Sequence, residues 1–203
     1  SPLNNLKEVL LVKPKIIFIE GCQGCGKSSI TKELREKLKY TTMLDLNAIG
    51  DKSLEGRDKM YKYHKGILNM FEDNKYNGMN FLCSRSYFSE AVYCELGYKS
   101  YDFEVQTNSL TSELTYLTNY YDIYFIVLTA TEEELKERLN RNKFAYNKFS
   151  VENSLSQQNV YKRYLRYLSN KSERLVRCFE VPNRNIDDTV EVIMKSILTN
   201  MIG

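Results

Sequence analysis

The chain has 203 residues, of which 42% are hydrophobic and 27% charged, with nine glycines and three prolines. This length predicts one compact domain over 1–203, and the composition excludes disordered and collagen-like chains. The net charge of +3 is too small to predict nucleic-acid or membrane binding, although it excludes neither. The single histidine, His64, argues against His-rich metal sites and against a Ser-His-Asp hydrolase.

The cysteines and the amino-terminal segment bear on the compartment. Five cysteines are an odd number, and the sequence shows no signal-peptide pattern, so we expect reduced thiols in a cytoplasmic protein. The apolar spacing in residues 3–12 predicts a short helix or a docked arm. That run is far shorter than the ~20 apolar residues of a membrane span.

Strands and helices are predicted to alternate along the rest of the chain. Short apolar runs rich in β-branched and aromatic residues predict strands at 15–20, 41–44, 80–83, 123–128 and 178–181. After the first strand, Ile30, Leu34 and Leu38 recur every four residues and predict a helix. Thr131 and Glu134 have the spacing of a capping box after the fourth strand. The last predicted helix carries four apolar residues on one face: Val190, Ile193, Ile197 and Met201. This alternation predicts an α/β fold with a parallel sheet.

A phosphate-binding loop is predicted between the first strand and the following helix. Its sequence, Gly21-Cys22-Gln23-Gly24-Cys25-Gly26-Lys27-Ser28, matches G-x-x-x-x-G-K-[ST]. Main-chain N–H groups and the positive end of the following helix hold the β- and γ-phosphates in such a loop. We expect Lys27 to contact these phosphates and Ser28 to ligate Mg²⁺, with Ser29 in the same segment. The predicted cofactors are therefore ATP and Mg²⁺. Cys22 and Cys25 are more simply read as structural than as redox-active, although Lys27 and the helix end could lower a thiol pKa.

Two classes of protein with this loop fit the sequence poorly. None of the four Asn-Lys pairs has an aspartate two residues later, so the guanine-recognition motif of GTPases is missing. Hydrolysis-driven ATPases end a second apolar strand in acidic residues that hold Mg²⁺ and aim water. Here the candidate strands run into Ser84-Arg85 and Thr129-Ala130. The small kinases remain, in which a substrate hydroxyl or phosphate accepts the phosphoryl group.

Several segments, in order along the chain, carry a family resemblance. They are IEGCQGCGKSS, LCSRSYFSEAVY, LKERLNRNKFAYNKFS, QQNVYKRYLRYL and RNIDDTVEVI. Together they resemble the thymidylate kinase and deoxynucleoside kinase superfamily of P-loop kinases. The resemblance implies a three-layer fold, with a five-stranded parallel sheet flanked by helices and a small lid at about 138–150.

The resemblance also implies roles for residues outside the loop. Arg85, at the end of the third strand, matches the family arginine that faces the acceptor. Arg138 and Arg141 are three residues apart, and lid closure would bring both over the phosphates. Asp45 closes the second strand, where deoxynucleoside kinases carry the carboxylate that accepts the 5′-hydroxyl proton. A turn-forming aspartate is an equally good interpretation of Asp45.

Some positions depart from the family pattern. Ser84 stands where the family has an acidic residue that helps to organise Mg²⁺, so either Asp45 or Glu90 substitutes through water or Mg²⁺ is handled differently. Gln23 replaces the acidic residue that thymidylate kinases carry in the loop, and Arg57 is a candidate for a missing acceptor arginine. Four aromatic residues could stack on a nucleobase: Tyr63, Tyr87, Phe88 and Tyr93. The resemblance places His64 in the helix on the acceptor side, where it could contact substrate, although a partly buried structural histidine is the simpler interpretation.

Four functions remain open on the sequence alone. The first is phosphoryl transfer from ATP to a deoxynucleoside monophosphate, as in thymidylate kinase. The second is a deoxynucleoside 5′-kinase, favoured by the spacing Arg85-Ser86-x-x-Ser89 and by Asp45. The third is a kinase of a DNA or RNA hydroxyl, and the fourth is an ATP-binding regulator without catalysis. The predicted partner is a small nucleotide or nucleoside, with no membrane and a homodimer by analogy.

Overall fold

In the computed structural model, residues 13–141 and 150–199 are described, apart from the side chains at 140, 141 and 199. The predicted arm at 3–12, Met201 and residues 142–149 of the predicted lid lie outside this part of the chain. The described part of the lid is therefore the end of one helix and the residue that precedes the next.

Five strands and seven helices alternate along the described chain. The strands are β1 (Lys15–Gly21), β2 (Thr41–Asp45), β3 (Asn80–Ser84), β4 (Asp122–Thr129) and β5 (Arg177–Pro182). The helices are α1 (Lys27–Lys37), α2 (Leu54–Asp73), α3 (Tyr87–Glu95), α4 (Glu104–Leu117), α5 (Glu132–Arg141), α6 (Val151–Lys171) and α7 (Ile186–Thr199). None of these helices of the described ranges has the length and apolar character needed to cross a bilayer.

All five strands are parallel and lie in the order β2-β3-β1-β4-β5, which confirms the predicted fold class. The central strand β1 pairs on both sides, so that Ile19 is opposite Ser84 on β3 and opposite Ile126 on β4. Because the strands are parallel, their carboxyl ends share one edge of the sheet. The topology reverses around β1, and ligands of such sheets bind at that edge beside the reversal.

Two apolar cores cover the two faces of the sheet. Ile16 and Phe18 of β1 face one core, which α2, α3, α4 and α6 complete, whereas Ile17 and Ile19 face the other. Helices α1, α5 and α7 cover that second face. Burial on both faces explains why the central strands are continuous apolar runs rather than alternating ones.

Local signals in the sequence fix several helix ends. Thr131 and Glu134 form the predicted capping box, since each accepts a hydrogen bond at 3.2 Å from the other's main-chain N–H. On α7, the predicted apolar face is confirmed for Val190, Ile193 and Ile197, all of which are buried. A serine caps the start of each of α2, α3 and α6: Ser53, Ser86 and Ser150. These caps orient the helices that carry site residues.

Candidate phosphate-binding site

The phosphate loop, residues 21–28, joins the carboxyl end of β1 to the start of α1. Gly24 and Gly26 have φ angles of 81° and 87°, in the left-handed region that glycine adopts without strain. A Cβ at Gly26 would also collide with the side-chain amide of Asn183. The loop therefore depends on glycine at this position for both its conformation and its contacts.

The loop lines a cavity of about 420 Å³ at the edge of the sheet. The walls consist of all the residues from Gly21 to Ser29, together with Arg85, Tyr93, Arg138 and Leu139. Lys27 reaches back across the loop, where its Nζ donates a hydrogen bond to the Gly21 carbonyl at 3.3 Å. Ser28 and Ser29 lie exposed in the first turn of α1. The first N–H groups of that helix are the natural anion-binding groups of the site.

A buried asparagine after β5 braces the loop from one side. The Asn183 amide nitrogen donates to the Cys25 carbonyl at 2.7 Å, and its oxygen accepts a hydrogen bond from the Thr189 hydroxyl at 2.9 Å. The main-chain N–H of Asn183 is bonded to Thr129 at the end of β4. Asn183 therefore ties the loop to the ends of two strands, a contact that no sequence pattern indicated.

Arg138 both lines the cavity and supports the loop. Its guanidinium donates to the Gly24 carbonyl and to the Glu134 carboxylate, each at 3.2 Å, and also to the Asn183 carbonyl. The sequence placed Arg138 beside the phosphates, and the structure adds these three acceptors. Arg141 ends α5, but its side chain lies outside the described part of the chain, so its predicted role is untested.

Two glutamines of α6 contact the loop and β4 from the other side. The Gln157 side-chain oxygen accepts a hydrogen bond from the Gln23 main-chain N–H at 3.0 Å. Gln158 is bonded to both the N–H and the carbonyl of Ala130, at 2.9 and 3.1 Å. Both side chains are buried, which explains why polar residues occupy the inner face of α6.

Glu20, directly before the loop, is a fully buried carboxylate that the sequence analysis missed. It accepts hydrogen bonds from the hydroxyls of Ser86 and Ser89 at 2.8 Å. Burial raises the pKa of Glu20, and the nearby positive charge of Lys27 acts in the opposite direction. The signal available in the sequence was an acidic residue, Glu20, near the end of a strongly apolar strand. Glu20 links the phosphate loop to the start of α3.

Arg85 follows β3 and lines the same cavity as the loop. Its φ of 74° places a non-glycine residue in the left-handed region, a strain that tends to occur at functional sites. The Arg85 main-chain N–H is bonded to the Ile19 carbonyl at 3.0 Å, and its guanidinium donates to the Tyr93 hydroxyl at 2.8 Å. These bonds direct the Arg85 side chain along the cavity that the loop lines.

Asp45 ends β2 on the same edge but does not line that cavity. It pairs with Ser84 in the sheet and is exposed. Tyr63 is close to it: burial and then the Asp45 charge raise the pKa of the Tyr63 hydroxyl. With 39% of its surface exposed, Tyr63 retains a ring that a ligand can reach.

Other candidates of the sequence analysis lie inside the protein. The prediction of base stacking is wrong for Tyr87 and Phe88, because both rings pack in the core and are at most 2% exposed. Glu90 is also buried and accepts a hydrogen bond from Tyr101, and Lys99 pairs with it at 3.4 Å. Of the proposed substitutes for an acid at Ser84, Asp45 is thus the exposed one.

Solved structures show which fold this is. A thymidylate kinase from Candida albicans is similar over 93% of this chain and 92% of its own, with a TM-score of 0.64 and 16% identity. A deoxyadenosine kinase from M. mycoides covers 91% and 99%, with a TM-score of 0.57 and 14% identity. A tunicamycin resistance protein from Deinococcus radiodurans is similar over 91% of this chain and 96% of its own, with a TM-score of 0.51 and 13% identity.

Sequence comparison adds no relative to these, since no family model and no curated protein matches the chain. At such low identities, the structural similarity establishes the fold alone. That similarity extends over nearly the whole chain. The protein therefore has the fold of the P-loop kinases.

Proposed function

We propose that this protein transfers the γ-phosphate of ATP to a nucleoside-type acceptor, and that a deoxynucleoside monophosphate is the first candidate. One observation carries the proposal: the guanidinium of Arg85 lines the same cavity as the glycine-rich loop and Lys27. Several cationic groups around one cavity suit a reaction in which negative charge accumulates between donor and acceptor.

The donor half of the reaction belongs to the loop. Its main-chain N–H groups and the start of α1 would bind the β- and γ-phosphates, with Lys27 as a point charge beside them. Bracing by Asn183, Arg138 and Gln157 holds these groups in place before the substrate arrives. Such preorganisation lowers the cost of reorganisation during transfer.

The residues present also suit Mg²⁺. The Ser28 hydroxyl is exposed at the start of α1, and the exposed Asp45 carboxylate lies on the same edge of the sheet. Hydroxyl and carboxylate oxygens are the ligands that this ion prefers, either directly or through water. Bound there, Mg²⁺ would neutralise phosphate charge and align the triphosphate.

The acceptor half centres on Arg85. A planar guanidinium can hold an acceptor phosphate with two parallel hydrogen bonds, and Tyr93 fixes its direction here. Tyr63 supplies an accessible ring on the same side of the sheet for the base. This arrangement supports a nucleotide as acceptor.

A deoxynucleoside 5′-hydroxyl is the second candidate, and Asp45 is the observation that favours it. An exposed carboxylate at a strand end can accept the hydroxyl proton. Arg57, the candidate second cation for an acceptor phosphate, pairs instead with Asp58 at 3.5 Å and does not line the loop cavity. An uncharged acceptor needs fewer cations than a phosphate does.

One panel separates these acceptors. ATP labelled on its γ-phosphate is incubated with the protein, Mg²⁺ and each common deoxynucleoside, its monophosphate or a short DNA. Label on monophosphates supports the first candidate, label on nucleosides the second, and label on DNA a polynucleotide kinase. Tight ATP binding with label on none of them would contradict the proposal and indicate a regulator.

Lys27→Ala tests the donor site. We expect kcat/KM for the accepted substrate to fall roughly 10²-fold or more, because one preorganised charge beside the transferred group is lost. Lys32→Ala is the matched control, since Lys32 is an exposed lysine of the same helix. A Lys27→Ala protein that stays folded by circular dichroism and retains its activity would show that the loop is not the donor site.

Asp45→Asn tests the proposed base. If Asp45 accepts a hydroxyl proton, kcat should fall by roughly 10²- to 10⁴-fold while the affinity for ATP is unchanged. Asp187→Asn, which changes an exposed aspartate at the start of α7, is the control. Unaltered turnover of Asp45→Asn would exclude Asp45 as the base.

A further inference from the structure

Two cysteines face each other inside the phosphate loop. Cys22 and Cys25 are separated by two residues, and a main-chain hydrogen bond from the Cys25 N–H to the Cys22 carbonyl, at 3.2 Å, closes a turn between them. Such a turn brings its end Cα atoms within about 7 Å, close to the separation that a disulfide spans. Both side chains are buried, and the Cys22 thiol donates to the Gln158 side-chain oxygen at 3.8 Å.

The environment of this pair favours oxidation of Cys25. The neighbouring Cys22 thiol, and then the charge of Lys27, lower the pKa of the Cys25 thiol even though the residue is buried. Both cysteines contribute to the wall of the 420 Å³ cavity, so a small solute that enters the phosphate site comes next to these two residues. A larger oxidant would be excluded, because each residue is at most 2% exposed.

We propose that Cys22 and Cys25 form a dithiol that small peroxides oxidise to an intramolecular disulfide, and that this disulfide prevents the loop from binding a triphosphate. The first part concerns only the two thiols. The second part rests on the proposed function.

The chemistry balances with hydrogen peroxide as the oxidant. The Cys25 thiolate attacks one peroxide oxygen, so that an S–O bond forms, the O–O bond breaks and hydroxide leaves. The Cys22 sulfur then attacks the Cys25 sulfur, the S–S bond replaces the S–O bond, and water leaves with the Cys22 proton. The proton that Cys25 released on ionisation converts the hydroxide to water, so that two thiols are oxidised and one peroxide is reduced to two molecules of water.

Closure of the disulfide should distort the loop. The two sulfurs would move to a separation of about 2.05 Å, away from the present contact of Cys22 Sγ with Gln158 at 3.8 Å. Cys25 cannot follow freely, because its carbonyl is held by the buried Asn183 side chain. The N–H groups that point into the cavity would therefore turn away from the phosphates.

Peptide mapping tests the modification. Cleavage after lysine and arginine releases residues 16–27 as one peptide, which contains Cys22, Cys25 and no other cysteine. After treatment of the whole protein with peroxide, we expect this peptide to lose two hydrogens and to resist alkylation until a reductant is added. A peptide that stays reduced, or that only gains oxygen, would overturn the proposal.

Single substitutions show whether both sulfurs take part. In Cys22→Ser the remaining Cys25 can gain oxygen but cannot lose two hydrogens, and Cys25→Ser should stay unchanged by mass. Cys94→Ser, at a half-buried cysteine outside the loop, should form the disulfide as the unaltered protein does. Loss of the disulfide in Cys94→Ser would contradict the assigned pairing.

ATP binding tests the consequence. By titration calorimetry, oxidation should weaken the binding of Mg²⁺-ATP roughly tenfold or more, since the amide contacts depend on loop geometry, and a reductant should restore it. Unchanged affinity in a protein shown by mass to be oxidised would refute this part. If the reduced protein transfers phosphate but forms no disulfide, the inference fails alone; if it forms the disulfide but never binds ATP, the proposed function fails alone.

Discussion

The environment of His64 makes its charge state a property of the fold. The imidazole is 3% exposed, with the rings of Tyr63 and Tyr87 at 5.0 and 6.3 Å. Burial lowers its pKa from 6.5 to about 4, so the folded protein keeps this residue neutral at physiological pH. The sequence interpretation of His64 as structural agrees with this burial.

The depressed pKa of His64 predicts a loss of stability in mild acid. Below pH about 6.5, His64 takes up a proton more readily in the unfolded chain than in the folded one, which favours unfolding. The free energy of unfolding is therefore at its full value above pH about 6.5 and decreases as the pH falls towards 4. At pH 5 the free energy of unfolding should be lower by about 2 kcal/mol than at pH 8 from this residue alone. Urea unfolding of the unaltered protein and of His64→Gln at both pH values measures the difference.

The same residue allows a direct check. Because His64 is the only histidine in the chain, its imidazole NMR signals need no assignment by mutation. They should titrate in the folded protein with a pKa of about 4. A midpoint near 6.5, or an equal pH dependence of stability in His64→Gln, would contradict the proposed burial effect.

Single residues differ in how far the sequence reveals them. The phosphate loop was predictable because all its signals lie within eight consecutive positions, from Gly21 to Ser28. Glu20 was not, since its buried carboxyl group is hydrogen-bonded to Ser86 and Ser89, which lie 66 and 69 residues away. A long-range hydrogen bond leaves no local pattern in the sequence. Sequence reasoning therefore finds a phosphate-binding loop more readily than the buried side chains that hold it in place.

At the scale of elements, the strands were predicted to within about one residue at each end. Because β1 and β4 are buried on both faces, their sequences are continuous apolar runs. Such runs can be recognised in the sequence without knowing which strands pair with them. For α2, α3 and α4, the sequence predicted that helices lie between the strands but not where each helix begins and ends. Their inner faces include Thr107, Thr111 and Ser89, polar residues whose burial depends on tertiary contacts.

The turn between β5 and α7 shows how a distant element shapes the phosphate loop. Asn183→Ala removes the donor to the Cys25 carbonyl and leaves that buried oxygen without its bond. We expect a loss of about 1–3 kcal/mol in the free energy of unfolding and a weaker affinity for ATP, because the loop loses a brace. Chemical unfolding and ATP titration of the variant measure the two effects.

A neighbouring asparagine provides the control for this prediction. Asn185 accepts a hydrogen bond at 3.1 Å from the Asp188 N–H at the start of α7 and is exposed. Asn185→Ala should cost about 1 kcal/mol of stability, as the loss of a helix cap does, without a change in ATP affinity. Equal effects of both variants on ATP binding would show that Asn183 acts only through overall stability.

At the scale of the whole molecule, the fold constrains the donor more than the acceptor. The three similar structures carry the names of a thymidylate kinase, a deoxyadenosine kinase and a tunicamycin resistance protein, although each spans over nine-tenths of this chain. The loop after β1 follows from topology, whereas the acceptor site depends on side chains such as Arg85, Tyr63 and Asp45. For this reason the acceptor is a matter for experiment.

Ligand linkage tests the donor site on the intact molecule. Mg²⁺-ATP at about 100 times its Kd should add about 2.7 kcal/mol to the free energy of unfolding. For a chain of this length, that corresponds to a rise in Tm of roughly 5–10 °C in a thermal unfolding experiment. Because the loop and Lys27 lie where the β- and γ-phosphates are expected, AMP should give a much smaller shift than ATP.

Lys27→Ala should reduce the Tm shift caused by ATP and leave the Tm shift caused by AMP nearly unchanged. AMP lacks the β- and γ-phosphates that Lys27 is expected to contact. Lys32→Ala, on the exposed side of α1, should behave as the unaltered protein does. If AMP and ATP stabilised the protein equally, the triphosphate tail would contribute nothing to binding. The glycine-rich turn after β1 would then serve the fold rather than a phosphate, and the transfer reaction built on it would have no donor.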